Sequence, residues 1–410
     1  MRLRPFRAWR PQPSIVAKVA APPYDVVNRA EAAELATGNP LSFLHVGRSD
    51  IDLPPDTDPY DRRIYAKGAE NLEAFLGDGT FLQEAEPSLY LYELTMDGRA
   101  QVGVVGCVHV DDYGKDIIKK HEKTRPDKED DRTRHVLALN AHAEPVFLTH
   151  APSPYLGQLN AKVMADDPLY DFVAYDGVRQ RVWRVTDAAP YVDAFRRLGV
   201  SYVADGHHRS ASAWRAAQDL RKANPKHTGD EEYNWFLAVL FPANQLRILP
   251  YNRVVKDLNG LSPDAFLARL AEVGTVAPVT GGSPEPAERG TIGVYVGGRW
   301  SWLTIDPETI LLRDPIRSLD VSLLQERVLG PILGIVDVRT DKRIDFVGGI
   351  RGVAELARRV DSGEMAAGFA MYPVTVQQLM TIADAGAVMP PKSTWFEPKL
   401  KSGLFVHTLA

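Results

Sequence analysis

Apolar and polar positions along this chain change period several times, and the changes mark out its elements. Apolar residues at Ile64, Ala69, Leu72, Phe75 and Leu76 recur at helical spacing and predict a helix through Tyr60 to Leu76. Asn28 suits the cap of a helix over 29–36, with Gly38 as its stop. The prolines before residue 23 favour extended chain. After Asn39-Pro40, the apolar stretch Phe43 to Val46 predicts a short strand. Ser88 to Thr95 and Ala100 to Val110 read as two strands joined by Asp97-Gly98, a strong hairpin signal. Pro145 to Thr149 predicts another strand. Phe172 to Asp176 and Gln180 to Val185 predict a second hairpin around Gly177. Gly199 to Val203 reads as a strand running into an Ala-rich helix near Ser210. Trp235 to Phe241 is apolar enough for a buried central strand.

The texture changes near Asn259-Gly260. Beyond it the pattern predicts a helix over 261–275, a Gly- and Pro-rich loop over 280–290, strands at 293–296 and 300–305, and helices at 321–329 and 353–360. We therefore divide the chain into a core, 1–258, and a C-terminal α+β region, 259–410, that could pack over the core's site. Hairpins mixed with helices predict an α+β fold with a mixed sheet and flanking helices, rather than a doubly wound sheet. There is no internal repeat.

Bulk properties narrow the function. The 410 residues are 45% hydrophobic and 25% charged with net charge −5, which argues against a broad nonspecific nucleic-acid surface. The one cysteine, Cys107, lies in an apolar strand and excludes an internal disulfide. The basic start, Met1 to Pro11, lacks the apolar core of a secretory signal, and no apolar run is long enough to span a bilayer. The expectation is a cytoplasmic protein without membrane partners. Oligomeric state is not legible.

The densest chemistry lies in Asp205-Gly206-His207-His208-Arg209-Ser210, between the strand at 199–203 and the Ala-rich helix. A helix start presents N–H groups without internal partners and the positive end of the dipole, so this turn predicts a phosphate site. Arg209 adds a planar fork. Asp205 suits either magnesium through water or an Asx turn that shapes the joint. His207 and His208 can contact phosphate or move a proton. Neighbouring helical side chains diverge by about 100 degrees, so this pair alone does not chelate one ion. The sequence also has no His-Glu-x-x-His segment and no cysteine pair, which argues against zinc.

Four other segments supply candidates. Thr124 suits an N-cap, with Pro126 in the first turn and Asp127 as the capping-box acid. On that helix Asp127, Asp130, Asp131 and Arg134 share a face, which suits magnesium or a solvated row with an Asp130–Arg134 pair. Asp25 follows two stiffening prolines and competes with Glu122 for the role of general base. A turn or cap role accounts for Asp25 equally simply. Asn39, Ser42, His45 and Arg125 are candidate substrate contacts, with caps and strand positions as the plainer account of the first three. Lys392 sits in a proline-rigid loop, 389–399, that could close over a phosphate or pack as a tail.

Five blocks together resemble the bacterial domain-of-unknown-function family 1015: Ala21 to Val27, Asn39 to Val46, Arg125 to Lys128, Ala204 to Arg209, and Met389 to Thr394. The Asp-Gly-His-His-Arg block also resembles the ParB/sulfiredoxin superfamily, most closely its free-serine kinases. That resemblance implies a ParB/sulfiredoxin-like core with a large C-terminal elaboration. It implies ATP or ADP with Mg2+, phosphates on Gly206, His207, His208, Arg209, Ser210 and Lys392, and metal at Asp127, Asp131 and Asp205. Asp25, Glu122 or His207 would move the proton. The expected activity is nucleotide-dependent phosphotransfer to a small molecule, free L-serine in the first place, or the reverse or hydrolytic reaction on phosphoserine. Alternatives are a ParB-like nucleotide switch or DNA-partition factor, disfavoured by the acidic charge and the lack of a helix-turn-helix segment, and a non-catalytic phosphometabolite sensor. The phosphate turn contains no cysteine, so sulfiredoxin chemistry is not expected. On this reading Arg209→Ala loses activity with the fold intact.

Overall fold

The computed structural model describes residues 1–410 and divides into two compact units, Met1–Leu246 with Pro398–Ala410, and Arg247–Glu397. Both are α+β.

The first unit is built on a nine-stranded mixed sheet. Its strands are β1 (Leu3–Arg4), β2 (Leu89–Met96), β3 (Arg99–His109), β4 (Ile118–Lys119), β5 (Val146–His150), β6 (Tyr170–Val173), β7 (Arg179–Val185), β8 (Ser201–Asp205) and β9 (Trp235–Pro242). The spatial order is β4-β8-β5-β9-β3-β2-β7-β6, with β1 also on β3. β4–β8 and β5–β9 are parallel, and the other pairs are antiparallel. The predicted hairpin turn holds: Asp97 and Gly98 both take positive φ, as a two-residue hairpin of this hand requires. The second predicted hairpin pairs Arg179 with Val173. β9 is a buried central strand, as its sequence indicates. Leu91, Val104, Leu148, Val203, Phe236 and Leu240 meet in one core on the sheet.

Helices flank the sheet: α1 (Arg29–Ala36), α2 (Leu44–Gly47), α3 (Arg62–Gly77), α4 (Pro126–Leu139) and α5 (His207–Ala223). Asn28 caps α1 in a full capping box with Glu31. Two local expectations fail. The segment expected as a strand at Phe43 to Val46 is the single helical turn α2, because Phe43, Leu44, Val46 and Gly47 are all buried and alternation gives no exposed face. The Ser42 hydroxyl accepts the Leu44 N–H at its start. Helix α4 is capped at Arg125, not Thr124, with no side-chain cap bond. The Thr124 hydroxyl bonds Glu129, and Asp127 pairs with Arg125 instead of closing a capping box.

The second unit has a six-stranded sheet over 251–370, including the predicted strands Thr291–Val296 and Arg299–Thr304 about the Gly297-Gly298 turn. The helix expected over 261–275 stops at Leu270, since Thr275 already enters a strand. The one expected over 321–329 is an α turn, Asp320–Leu324, that widens into a π turn through Leu329. No helix of either unit is long and apolar enough to cross a membrane.

Candidate functional site

The site grows out of the end of β8. Val203 pairs with Leu148 and Asp205 with Phe147, so Ala204 is an extra residue that breaks the ladder. Such a bulge re-aims the residues that follow. Gly206 then takes φ +92°, ψ +35°, a left-handed conformation that favours glycine, and turns the chain into α5. A Cβ at Gly206 would lie 3.1 Å from Arg209 Nε, so the turn and the arginine pack directly. No side chain caps the first turn of α5. Ser210 turns its hydroxyl back onto the Gly206 carbonyl at 3.1 Å.

Arg209 is 8% exposed and sits at the centre of a charge cluster. Its Nη1 donates to the Pro145 carbonyl at 2.6 Å. Its Nη2 lies 3.6 Å from Asp205 Oδ2 and 3.8 Å from Asp25 Oδ2. Lys399, from the C-terminal segment that belongs to this unit, donates to Asp205 Oδ2 at 3.3 Å. Burial alone would raise the Asp205 carboxyl, but Lys399 and Arg209 outweigh it and hold the group well below the usual carboxylate range. Glu144 is drawn in from the segment before β5. It accepts from the Tyr24 N–H at 3.2 Å and the Ser402 hydroxyl at 3.1 Å. Burial raises its carboxyl above the ordinary value, while Arg209 pulls the other way. Arg132 stacks 4.1 Å over the Tyr24 ring and fixes the loop that carries Asp25. Behind the helix start, Arg132, His135, His142, Glu144 and Arg209 help line a cavity of about 30 Å³, a size that holds water.

Arg209 and Lys399 thus face Asp25 and Asp205, while Glu144 lies between Arg209 and Arg132. Arg209 therefore acts as a structural neutraliser of these carboxylates. Removing it takes a buried cation from two partly exposed carboxylates, so Arg209→Ala is expected to cost stability as well as activity.

The remaining candidates fall in several places. Glu122 and His207 meet at His121, whose ring stands edge-on to His207 with centroids 4.4 Å apart. His208 accepts the Arg125 N–H at 3.1 Å, and the exposed Arg125 guanidinium pairs with Asp127 at 2.9 Å. Asp131 is buried, bonded to the Tyr65 hydroxyl at 2.9 Å and to Arg132 at 2.8 Å. Asp130 pairs with Arg215 of α5 at 2.6 Å, not with Arg134 as expected. The acidic face of α4 is thereby largely committed to packing, and neither Asp127 nor Asp131 pairs with Arg209 or Lys399. Asn39 donates to the Lys18 carbonyl at 2.7 Å, and His45 pairs with Asp52 at 2.8 Å. Lys392 belongs to the second unit, where its ammonium lies 5.6 Å from the Tyr251 ring centroid.

Sequence reasoning missed Glu144, His121 and the pairing of Lys399. Glu144 carried a usable signal: a lone carboxylate in Ala141-His142-Ala143-Glu144-Pro145-Val146, at the mouth of a buried strand.

Known structures give distant likenesses. A free serine kinase in complex with AMP is 16% identical, covering 74% of this chain and 91% of that one, with a TM-score of 0.36. A conserved hypothetical protein from Pyrococcus furiosus is 15% identical over 73% and 93%, TM-score 0.34. SbnI with a C-terminal truncation, from Staphylococcus aureus, is 13% identical over 74% and 86%, TM-score 0.38. At these scores none of the three bears on the chemistry of this chain. No curated protein matches the sequence. The family match is of another order: it runs over residues 3–322 and takes in the Asp25 loop, Glu144, β8 and α5. This chain belongs to the family described as protein of unknown function DUF1015.

Proposed function

We propose that this protein is a nucleotide-dependent phosphotransferase acting on the hydroxyl of a small molecule, with free L-serine as the first acceptor to test. One observation carries the reading. Asp25 and Asp205, from opposite ends of the first unit's sequence, both reach one guanidinium nitrogen of Arg209 beside the uncapped start of α5. A helix start attracts phosphate, and paired carboxylates beside it suit phosphate that arrives with a divalent ion. Asp25 and Asp205 would offer carboxylate ligands to the Mg2+ of a nucleotide complex, and Arg209 and Lys399 would face its phosphates. The resemblance of Asp205 to Arg209 to the free-serine kinase block supports the same chemistry.

Within this reading, the N–H groups at the start of α5 hold the phosphates, and Lys399 balances charge as the phosphoryl group moves. Asp25, with a side chain 37% exposed, is reachable by an acceptor hydroxyl and takes its proton. The test is phosphorus NMR of the full chain with Mg2+, L-serine and ATP or ADP, then with phosphoserine alone and phosphoserine plus ADP. A phosphoserine signal growing as nucleotide is consumed supports the reading and names the donor. Phosphate released from phosphoserine alone identifies a phosphatase. Nucleotide binding without any spectral change rejects serine phosphotransfer in favour of a switch or sensor.

A further inference from the structure

β4 is the edge strand beside β8, and the two run parallel with Ile118 opposite Ser201 and Lys119 opposite Tyr202. Parallel pairing carries the chain after β4 in the same direction as the end of β8, so His121 and Glu122 travel toward the start of α5. There they meet His207. One atom from each of His121, Glu122 and His207 lies within 4.8 Å of the others. We propose that these three residues form a binding site for one divalent first-row transition-metal ion, held by two imidazoles and one carboxylate.

Two further observations support the site. His207 is only 7% exposed, and its Nε2 is buried with no hydrogen-bond partner, a costly state for a polar atom outside a ligand site. The His121 ring is held by a hydrogen bond to the Val203 backbone, the kind of outer contact that orients metal-bound histidines. Neighbouring His208 is turned away, accepting from Arg125. The second imidazole therefore comes from another segment, which is why adjacent histidines in the sequence did not reveal the site.

The donor set selects the ion. Two imidazoles and a carboxylate suit zinc, cobalt, iron or manganese, while magnesium prefers oxygen and water. Metal–ligand bonds of about 2.0–2.2 Å place tetrahedral donor atoms about 3.4 Å apart, so closing on an ion requires donor shifts of up to about 1.4 Å from the widest separation allowed here. Three protein ligands leave positions for water or a substrate oxygen, next to the Gly206 turn. This site stands or falls independently of the phosphotransfer reading.

The test uses the full chain, stripped with a chelator and titrated with CoCl2 and ZnCl2. The expected result is one ion per chain, a cobalt d–d spectrum that Zn2+ abolishes, and no displacement by excess Mg2+. Glu122→Gln should weaken binding at least tenfold, His207→Gln should abolish the spectrum, and His227→Gln, outside the cluster, should change nothing. His207 is buried, so each variant is first checked by thermal melting, and the half-buried Glu122 gives a second variant should His207→Gln unfold. No stoichiometric cobalt binding by the wild-type chain overturns the site outright. So does full displacement by Mg2+, or binding unchanged in Glu122→Gln.

Discussion

Arg209→Ala is the most informative perturbation, because its cost can be worked out from the cluster. The substitution removes a charged donor from the Pro145 carbonyl and takes away a cation within ion-pair reach of both Asp25 and Asp205. Breaking a buried ion pair by deleting one partner costs about 3–5 kcal/mol. A charged hydrogen bond is worth about 1.5–3 kcal/mol, but it overlaps that figure and is not added to it. Two features moderate the loss: Lys399 still pairs with Asp205, and the Asp25 and Asp205 side chains are 37% and 27% exposed. The expected destabilisation is therefore at the lower end, about 3 kcal/mol, or a melting decrease of about 6–12 °C for a unit of this size. Urea unfolding measures it, and amide hydrogen exchange of residues 201–223 localises it to β8 and α5. The double variant Arg209→Ala with Glu144→Gln should recover about 1 kcal/mol or more, since one buried carboxyl no longer needs a cation. A single variant within about 1 kcal/mol of wild type would refute the neutraliser role, since exposed pairs are worth no more than that.

Three further outcomes are expected. Gly206→Ala forces a Cβ into the left-handed region and against Arg209, costing about 1–2 kcal/mol in urea unfolding, and an unchanged midpoint would contradict the turn geometry. In the second unit, burial raises Asp320 from 3.8 to about 6, so the folded state holds a proton that the unfolded chain has lost; stability falls as pH rises across that window. Asp320→Asn keeps an acceptor for the Gly290 N–H and should stabilise by about 1–3 kcal/mol above about pH 7, the gain fading toward pH 4; a net loss at high pH would count against it. The hydrogen bond that His45 Nδ1–H donates to Asp52 raises His45, so the pair's contribution is full below the ordinary histidine value and is lost as pH rises through the folded one. His45→Gln should therefore lose more stability at about pH 6 than at about pH 9, and equal losses at both would dismiss the pair.

What the sequence determined by itself was local. Asn28 with Glu31 caps α1, Asp97-Gly98 closes a hairpin, and a strand followed by Gly206 opens α5, because each rests on hydrogen bonds or dihedral preferences spanning a few residues. Where a short apolar run allowed two conformations, as at Phe43 to Val46, burial on every side settled the matter in favour of a helical turn. The acidic face of α4 was legible as a face, but its partner was not, since Asp130 meets Arg215 only once α4 packs on α5. The site was half legible for the same reason. Its turn, Asp205 to Ser210, is one contiguous segment, whereas Asp25, Glu144, Lys399 and His121 reach it only through strand order and chain return. Parallel pairing of β4 with β8 brings His121 to His207, and burial of Arg209 demands carboxylates from wherever the fold can supply them. Spacing along the chain carries no record of that demand, because the cost of burying a charge exists only once the tertiary structure has excluded water.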